Sequence, residues 1–220
     1  IFSLPAFNTP LILNQEIERL LSHYCQNQPE GILQLCDLLW QEPEVELRRL
    51  AAQLLGKLPL NEIEAVIDRI QHWSENAANN ELLPYLHKYA STAIRKNRPE
   101  RWMNLLKEWK SSGQDWQIRL AIEGIIPLID DREYQNLPAI FTFITPLMLD
   151  PGKGFQFELL MLIEHLAQRS EAETVYFLKN TVALSSDPEM SRFLRRAMVY
   201  FSPPMQQSLS KRQRSAQLPK

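Results

Sequence analysis

An all-α fold is what this sequence predicts, and three observations predict it. Apolar residues recur three and four apart, the spacing that lines one face of a helix. No stretch alternates apolar and polar residues between hairpin turns, as half-buried strands do. Proline, glycine, asparagine and aspartate divide the chain into segments of about 11–18 residues, an ordinary helix length. With 220 residues, 45% hydrophobic and 23% charged, there is enough apolar surface for one continuous core or one short repeat array.

Each element follows from its punctuation. Asn14 is read as the start of the first helix, with Glu16, Glu18 and Arg19 on an outer face that would close one end. Pro29 and Pro43 stand at first-turn positions with Glu30, Glu44 and Glu46 close behind, where negative charge suits the positive end of a helix. Leu47, Leu50, Leu54 and Leu58 then form a stripe with Ala51 and Leu55 beside it. Pro59 stops that helix and Asn61 opens the next. Turns are read at Asn97-Arg98-Pro99, Ser111-Ser112-Gly113, Asp130-Asp131, Asp150-Pro151-Gly152 and Ser202-Pro203-Pro204. Between them lie the stripe Ile118, Ala121, Ile122, Ile125, Ile129 and the nearly all-apolar helix Phe155 to Ala167, expected to be covered on several sides. Asp187-Pro188-Glu189 opens the last stripe, Met190, Phe193, Leu194, Ala197, Met198 and Phe201. Roughly twelve helices joined by short loops are expected.

The chain also resembles itself. Arg49-Leu50-Ala51-Ala52 aligns with Arg119-Leu120-Ala121-Ile122 at an offset of 70, two units of 35. Leu159, Ile163 and Leu166 stand 38 residues after Ala121, Ile125 and Leu128, and Leu194, Met198 and Phe201 a further 35 on. A helix pair of that length cannot bury its stripe alone, so neighbouring pairs must stack. The expected architecture is an α-α superhelix of about six HEAT-like helix-pair repeats, a right-handed curved solenoid with a concave inner face. Residues 1–13 are read as an N-terminal extension, 14–202 as a single repeat domain, and 203–220 as a flexible basic tail.

Charge narrows the partners. Residues 1–80 hold 5 basic and 11 acidic side chains, whereas residues 81–220 hold 19 and 15. The positive excess gathers in Lys88 to Arg119, with 8 basic and 3 acidic residues, and in the last forty residues, with 7 and 2. Both are candidate phosphate-facing surfaces, and both also suit a plain solvated helix face. Arg48, Arg119, Arg192, Arg195 and Arg196 occupy comparable places on repeat helices; they fit a basic ladder, or ion pairs with acids such as Asp115 and Glu123. Trp102 and Trp109 share a face with Lys107 and Lys110 nearby, which suits nucleic-acid stacking or two tryptophans seated in a core. Trp116 reads as a packing residue.

Other chemistry finds little support. Cys25 and Cys36 form no Cys-x-x-Cys and are too few for a disulfide scaffold, which fits a reducing cytoplasm. His23, His72, His87 and His165 lack metal-ligand spacing, so neither metal nor cofactor is expected. Gly152-Lys153-Gly154 is a lone turn signal and no nucleophile elbow occurs. No apolar run approaches the ~18 residues of a membrane span. The segment Ile1 to Leu13, with two prolines and no basic residue, does not read as a secretory leader.

The segment Glu44 to Leu58, Glu-Val-Glu-Leu-Arg-Arg-Leu-Ala-Ala-Gln-Leu-Leu-Gly-Lys-Leu, resembles an early repeat of the DNA alkylation repair family, the HEAT-like alkylpurine DNA glycosylases. Asp115-Trp116-Gln117-Ile118-Arg119-Leu120-Ala121-Ile122 is similar to a later repeat helix of that family. Pro146 to Pro151, Ala172 to Leu178 and Arg195-Arg196-Ala197 are similar to those that follow, and the likeness covers residues 30–202. It implies a basic concave face on duplex DNA, with an Asp and two Trp residues in a cleft around an alkylated nucleotide. The stretch corresponding to the family's Trp-Asp motif reads His72-Trp73-Ser74-Glu75-Asn76-Ala77-Ala78-Asn79-Asn80-Glu81: Trp73 supplies an aromatic, no Asp is present, and Glu75 or Glu81 is the replacement. Leu160 or Met161 stands where the second Trp falls, and Arg119 matches the basic residue of the repeat helix.

Two readings follow. The first is a non-catalytic, monomeric binding protein that takes nucleic acid or a protein partner through Trp73, Arg48, Arg119, Arg192, Arg195, Arg196, Lys107 and Lys110. The alternative is a glycosylase releasing alkylated purines from duplex DNA, with Glu75 or Glu81 as its carboxylate.

Overall fold

The apolar stripes wind into helices throughout the computed structural model, which describes residues 6, 10–75, 82–149, 154–184 and 187–217. In order these are α1 (Leu11–Asn27), α2 (Pro29–Gln41), α3 (Val45–Leu55), α4 (Ile63–Glu75), the single turn α5 (Leu83–Tyr85), α6 (Thr92–Asn97), α7 (Pro99–Ser111), α8 (Asp115–Asp130), α9 (Leu137–Leu149), α10 (Gln156–Arg169), α11 (Glu171–Leu184), α12 (Pro188–Ala197) and α13 (Pro203–Gln217). A wide π-type turn, Leu86–Ala90, follows α5, and short 3-10 turns precede α4 and follow α12. Among the described residues there is no strand, as the periodicity requires.

Local chemistry sets several boundaries. Pro29 opens α2, where a missing N–H is harmless, and Asp187 caps α12 by accepting from the Glu189 N–H at 2.9 Å. α3 ends at Gly56, where the backbone passes so close to the Tyr89 carbonyl that only glycine fits. A Cβ there would overlap the Tyr89 oxygen and stand 2.9 Å from its carbon. α1 begins at Leu11, directly after Pro10, and so earlier than the Asn14 signal.

The contacts divide the chain into two compact units, residues 1–108 and 109–220. In the first, α3 packs on α1, α2 and the π-type turn, and its core gathers Ala51, Leu54, Leu55, Ile70, Leu86, Ile94, Trp102 and Leu106. In the second, alternate helices pack on one another. α10 lies against α8 and α12, and α11 against α9 and α13, giving two layers joined by α8 on α9 and α10 on α11.

Polar ties inside each unit recur at a common separation. Lys57 bonds Ser22 across 35 residues, Arg69 bonds Asp37 across 32 and Arg101 bonds Glu64 across 37. In the second unit His165 bonds Asp130 across 35, Arg119 bonds Glu158 across 39 and Arg196 bonds Gln156 across 40. Five of these six separations fall within 35–40 residues, and Arg69 to Asp37 is shorter at 32.

The stretch read as a flexible tail from residue 203 holds α13 instead. Pro203 opens the helix, Leu209 is buried, and Lys179 Nζ on α11 donates to Ser208 Oγ at 2.5 Å. One leucine and one hydroxyl anchor a segment whose composition otherwise reads as solvated.

Candidate functional site

The most constrained of the predicted arginines is Arg119, one turn into α8. Its Nη1 donates to the Glu158 carboxylate at the start of α10. Its Nη2 donates to the Gly154 carbonyl at 2.9 Å, and the guanidinium carbon lies 5.2 Å from the centre of the Phe155 ring. Gly154 adopts φ +85°, the left-handed conformation that glycine enters without steric penalty, and this turn presents the carbonyl. Glu158 is 4% exposed, and its Oε2 is buried without a hydrogen bond.

Glu123 stands one helical turn beyond Arg119, and burial pushes its carboxyl up to about 7 against the opposing pull of the Arg119 charge. Its Oε2 is likewise buried and unbonded. Arg119 therefore offsets one buried carboxylate while a second lies near it, and its side chain keeps 34% of its surface in solvent.

α12 carries Arg192, Arg195 and Arg196 on the face opposite its buried Met190, Phe193, Leu194 and Ala197. Arg192 pairs with Glu189 one turn back. Arg195 and Arg196 are exposed, and Arg196 Nη1 donates to the Gln156 side chain at 2.9 Å. Two arginines from different helices are thereby tethered at the N-terminal end of α10, one at Gly154 and one at Gln156.

The remaining candidates are placed differently. Lys110 donates to the Phe143 carbonyl at 2.9 Å with its ammonium 4.4 Å above the Phe143 ring, and Lys107 is exposed. Trp102 and Trp109 are both buried, which assigns them to the core among the alternatives their spacing allowed. Trp73, in the first unit, is 4% exposed and stacks on Trp40 with centroids 4.3 Å apart and planes 6° from parallel. Arg48 lies 5.8 Å from the Trp40 ring while its Nε donates to the Glu42 carbonyl at 2.6 Å. Glu75 is exposed at the last residue of α4, and Glu81 lies outside the described residues. Leu160 is buried and Met161 half-buried, so neither position offers an aromatic.

Sequence reasoning passed over Glu158, Gln156 and Trp40 as site residues. For Glu158 a signal exists: it is the only charged residue from Phe155 to Ile163, and a lone acid in an apolar run needs a buried partner.

The profile of the DNA alkylation repair enzyme family matches residues 12–200. The chain belongs to that family. Membership supports a role related to DNA repair, and the match runs from α1 to the turn after α12. Comparisons with curated proteins and with solved structures find no match. Among the described residues no three His, Cys, Asp or Glu side chains converge as a metal site, and no helix is long and apolar enough to cross a membrane.

Proposed function

We propose that this member of the DNA alkylation repair family binds duplex DNA without cleaving the glycosidic bond, through arginine-bearing faces of an array of stacked helix pairs. The ties at 32–40 residues within each unit support the repeat reading. The non-catalytic half is carried by one observation. Trp73, the aromatic of the stretch that resembles the family's catalytic motif, is 4% exposed and closed off by Trp40. A lesion base needs a free aromatic face to stack on, and a carboxylate beside it to stabilise the oxocarbenium-like state of cleavage. Glu75 is exposed at the end of α4. Arg119, Arg195 and Arg196 supply guanidinium donors of the kind that hold phosphate oxygens.

The second reading, a glycosylase releasing alkylated purines with Glu75 or Glu81 as its carboxylate, is favoured by the description of the matching family as repair enzymes. Incubating the protein with methylated duplex and separating released bases by chromatography distinguishes the two. The proposal expects complex formation in a parallel anisotropy titration and no base above the protein-free control. Base release that disappears in Glu75→Gln would establish the enzyme.

A further inference from the structure

Phe157 is 71% exposed, although it sits in the first turn of a helix whose other aromatic neighbour, Phe155, is buried. Its position in the chain is more informative than its exposure. Three residues before it, the Gly154 carbonyl holds the Arg119 guanidinium; immediately before it, the Gln156 side chain holds that of Arg196. The aromatic thus projects from a turn that two arginines grip from two other helices. On α12 the exposed Arg192, Arg195 and Arg196 outnumber the half-buried Glu189, and Arg192 already satisfies that one acid.

We propose that Phe157 is a wedge by which the second unit engages duplex DNA: Arg196 and Arg195, with the exposed part of Arg119, lie along a phosphate backbone while the ring packs into the groove against base edges. This deepens the DNA-binding reading and rests on it. An exposed ring flanked by tethered cations fits this partner for two physical reasons. The guanidinium groups of Arg119 and Arg196 are already oriented, so little side-chain freedom is lost when they meet phosphates. Apolar wedges between base steps are a recurrent way for such surfaces to gain contact without reading sequence. Glu158 remains the positioning residue for Arg119, since its carboxylate holds the guanidinium against the turn.

The test measures the affinity of a fluorescein-labelled duplex by anisotropy across a range of salt, for the wild type, Phe157→Ala, Phe157→Trp, Arg196→Ala and Tyr176→Ala. Tyr176 is 70% exposed on α11 and controls for loss of any surface aromatic. Phe157→Ala is expected to weaken binding about tenfold with an unchanged salt slope, because an apolar contact with bases releases no counterions. Phe157→Trp retains affinity, Tyr176→Ala matches the wild type, and Arg196→Ala lowers the slope by about one. Wild-type binding that Phe157→Ala leaves intact overturns this inference and not the DNA-binding reading; a wild type that does not bind overturns both. Self-association in sedimentation velocity that Phe157→Ala abolishes would assign the patch to a second copy of the chain and overturn the wedge.

Discussion

Replacing Trp73 by alanine separates a packing residue from a lesion-binding one, because the two roles predict opposite observables. Trp73 is 4% exposed and stacked on Trp40 at 4.3 Å. A buried aromatic of this size removes roughly 200 Å² from water, about 5 kcal/mol at ~25 cal/mol/Å². Losing the stacked pair adds about 1 kcal/mol, while the retained Cβ and partial collapse of the cavity return some of the total. The expected loss is about 4 kcal/mol, which at a urea dependence of roughly 2–3 kcal/mol/M moves the midpoint of the transition involving the first unit down by roughly 1.3–2 M. Trp73→Phe, which keeps a ring against Trp40, should lose less than half of that. The assay is urea unfolding followed by far-UV circular dichroism and tryptophan fluorescence, with duplex affinity measured on the folded variant. A Trp73→Ala variant that unfolds at the wild-type midpoint and yet loses binding to methylated duplex would show that Trp73 is not a packing residue.

Three further substitutions test the packing and the buried charges. Gly56→Ala places a methyl group onto the Tyr89 carbonyl, so it should lower stability by about 2 kcal/mol or more in the same urea assay. His87 is 1% exposed with both ring nitrogens unbonded, and burial followed by the Arg95 charge holds its pKa down at about 3. The unfolded chain therefore takes up this proton first, and stability falls as pH drops from about 6.5 toward 3, with about 2 kcal/mol already lost at pH 5; His87→Leu should be free of that dependence. Glu123 has the opposite sign. Its folded pKa of about 7 lies above its ordinary 4.5, so stability falls as pH rises between those values. Glu123→Gln should remove that slope and stand about 2 kcal/mol above the wild type at pH 8, a figure reduced for the partial exposure of the residue.

Much of the fold was legible because helices announce themselves locally. The stripe from Leu47 to Leu58 and the caps at Pro29 and Asp187 are short-range features, and α3, α2 and α12 form where those signals stand. A helix-pair period of 35–40 residues is an expectation of the sequence, since stacked pairs must repeat their apolar positions, and ties such as Lys57 to Ser22 and His165 to Asp130 stand 35 residues apart. What lay beyond reading was which side chains meet across that interval. Arg119 could have paired with Asp115 or Glu123 on its own helix, yet it bonds Glu158, because the turn at Gly154 brings the start of α10 against it. The burial of Trp73 depends on Trp40, more than thirty residues away on a different helix. α13 was missed for a related reason. Its helicity is secured by Leu209 and by Lys179 of α11, which composition after residue 203 does not reveal.

The proposed binding mode has this family member hold DNA by its phosphates. The salt dependence of wild-type affinity for an unmodified duplex of about twenty base pairs tests it most directly, since each neutralised phosphate contributes about −0.9 to the slope of log K against log salt. Phosphate-held binding falls linearly with a slope of about −3 or steeper from ~50 to ~200 mM salt. Binding that is absent at the low end, or flat across the range, would contradict it.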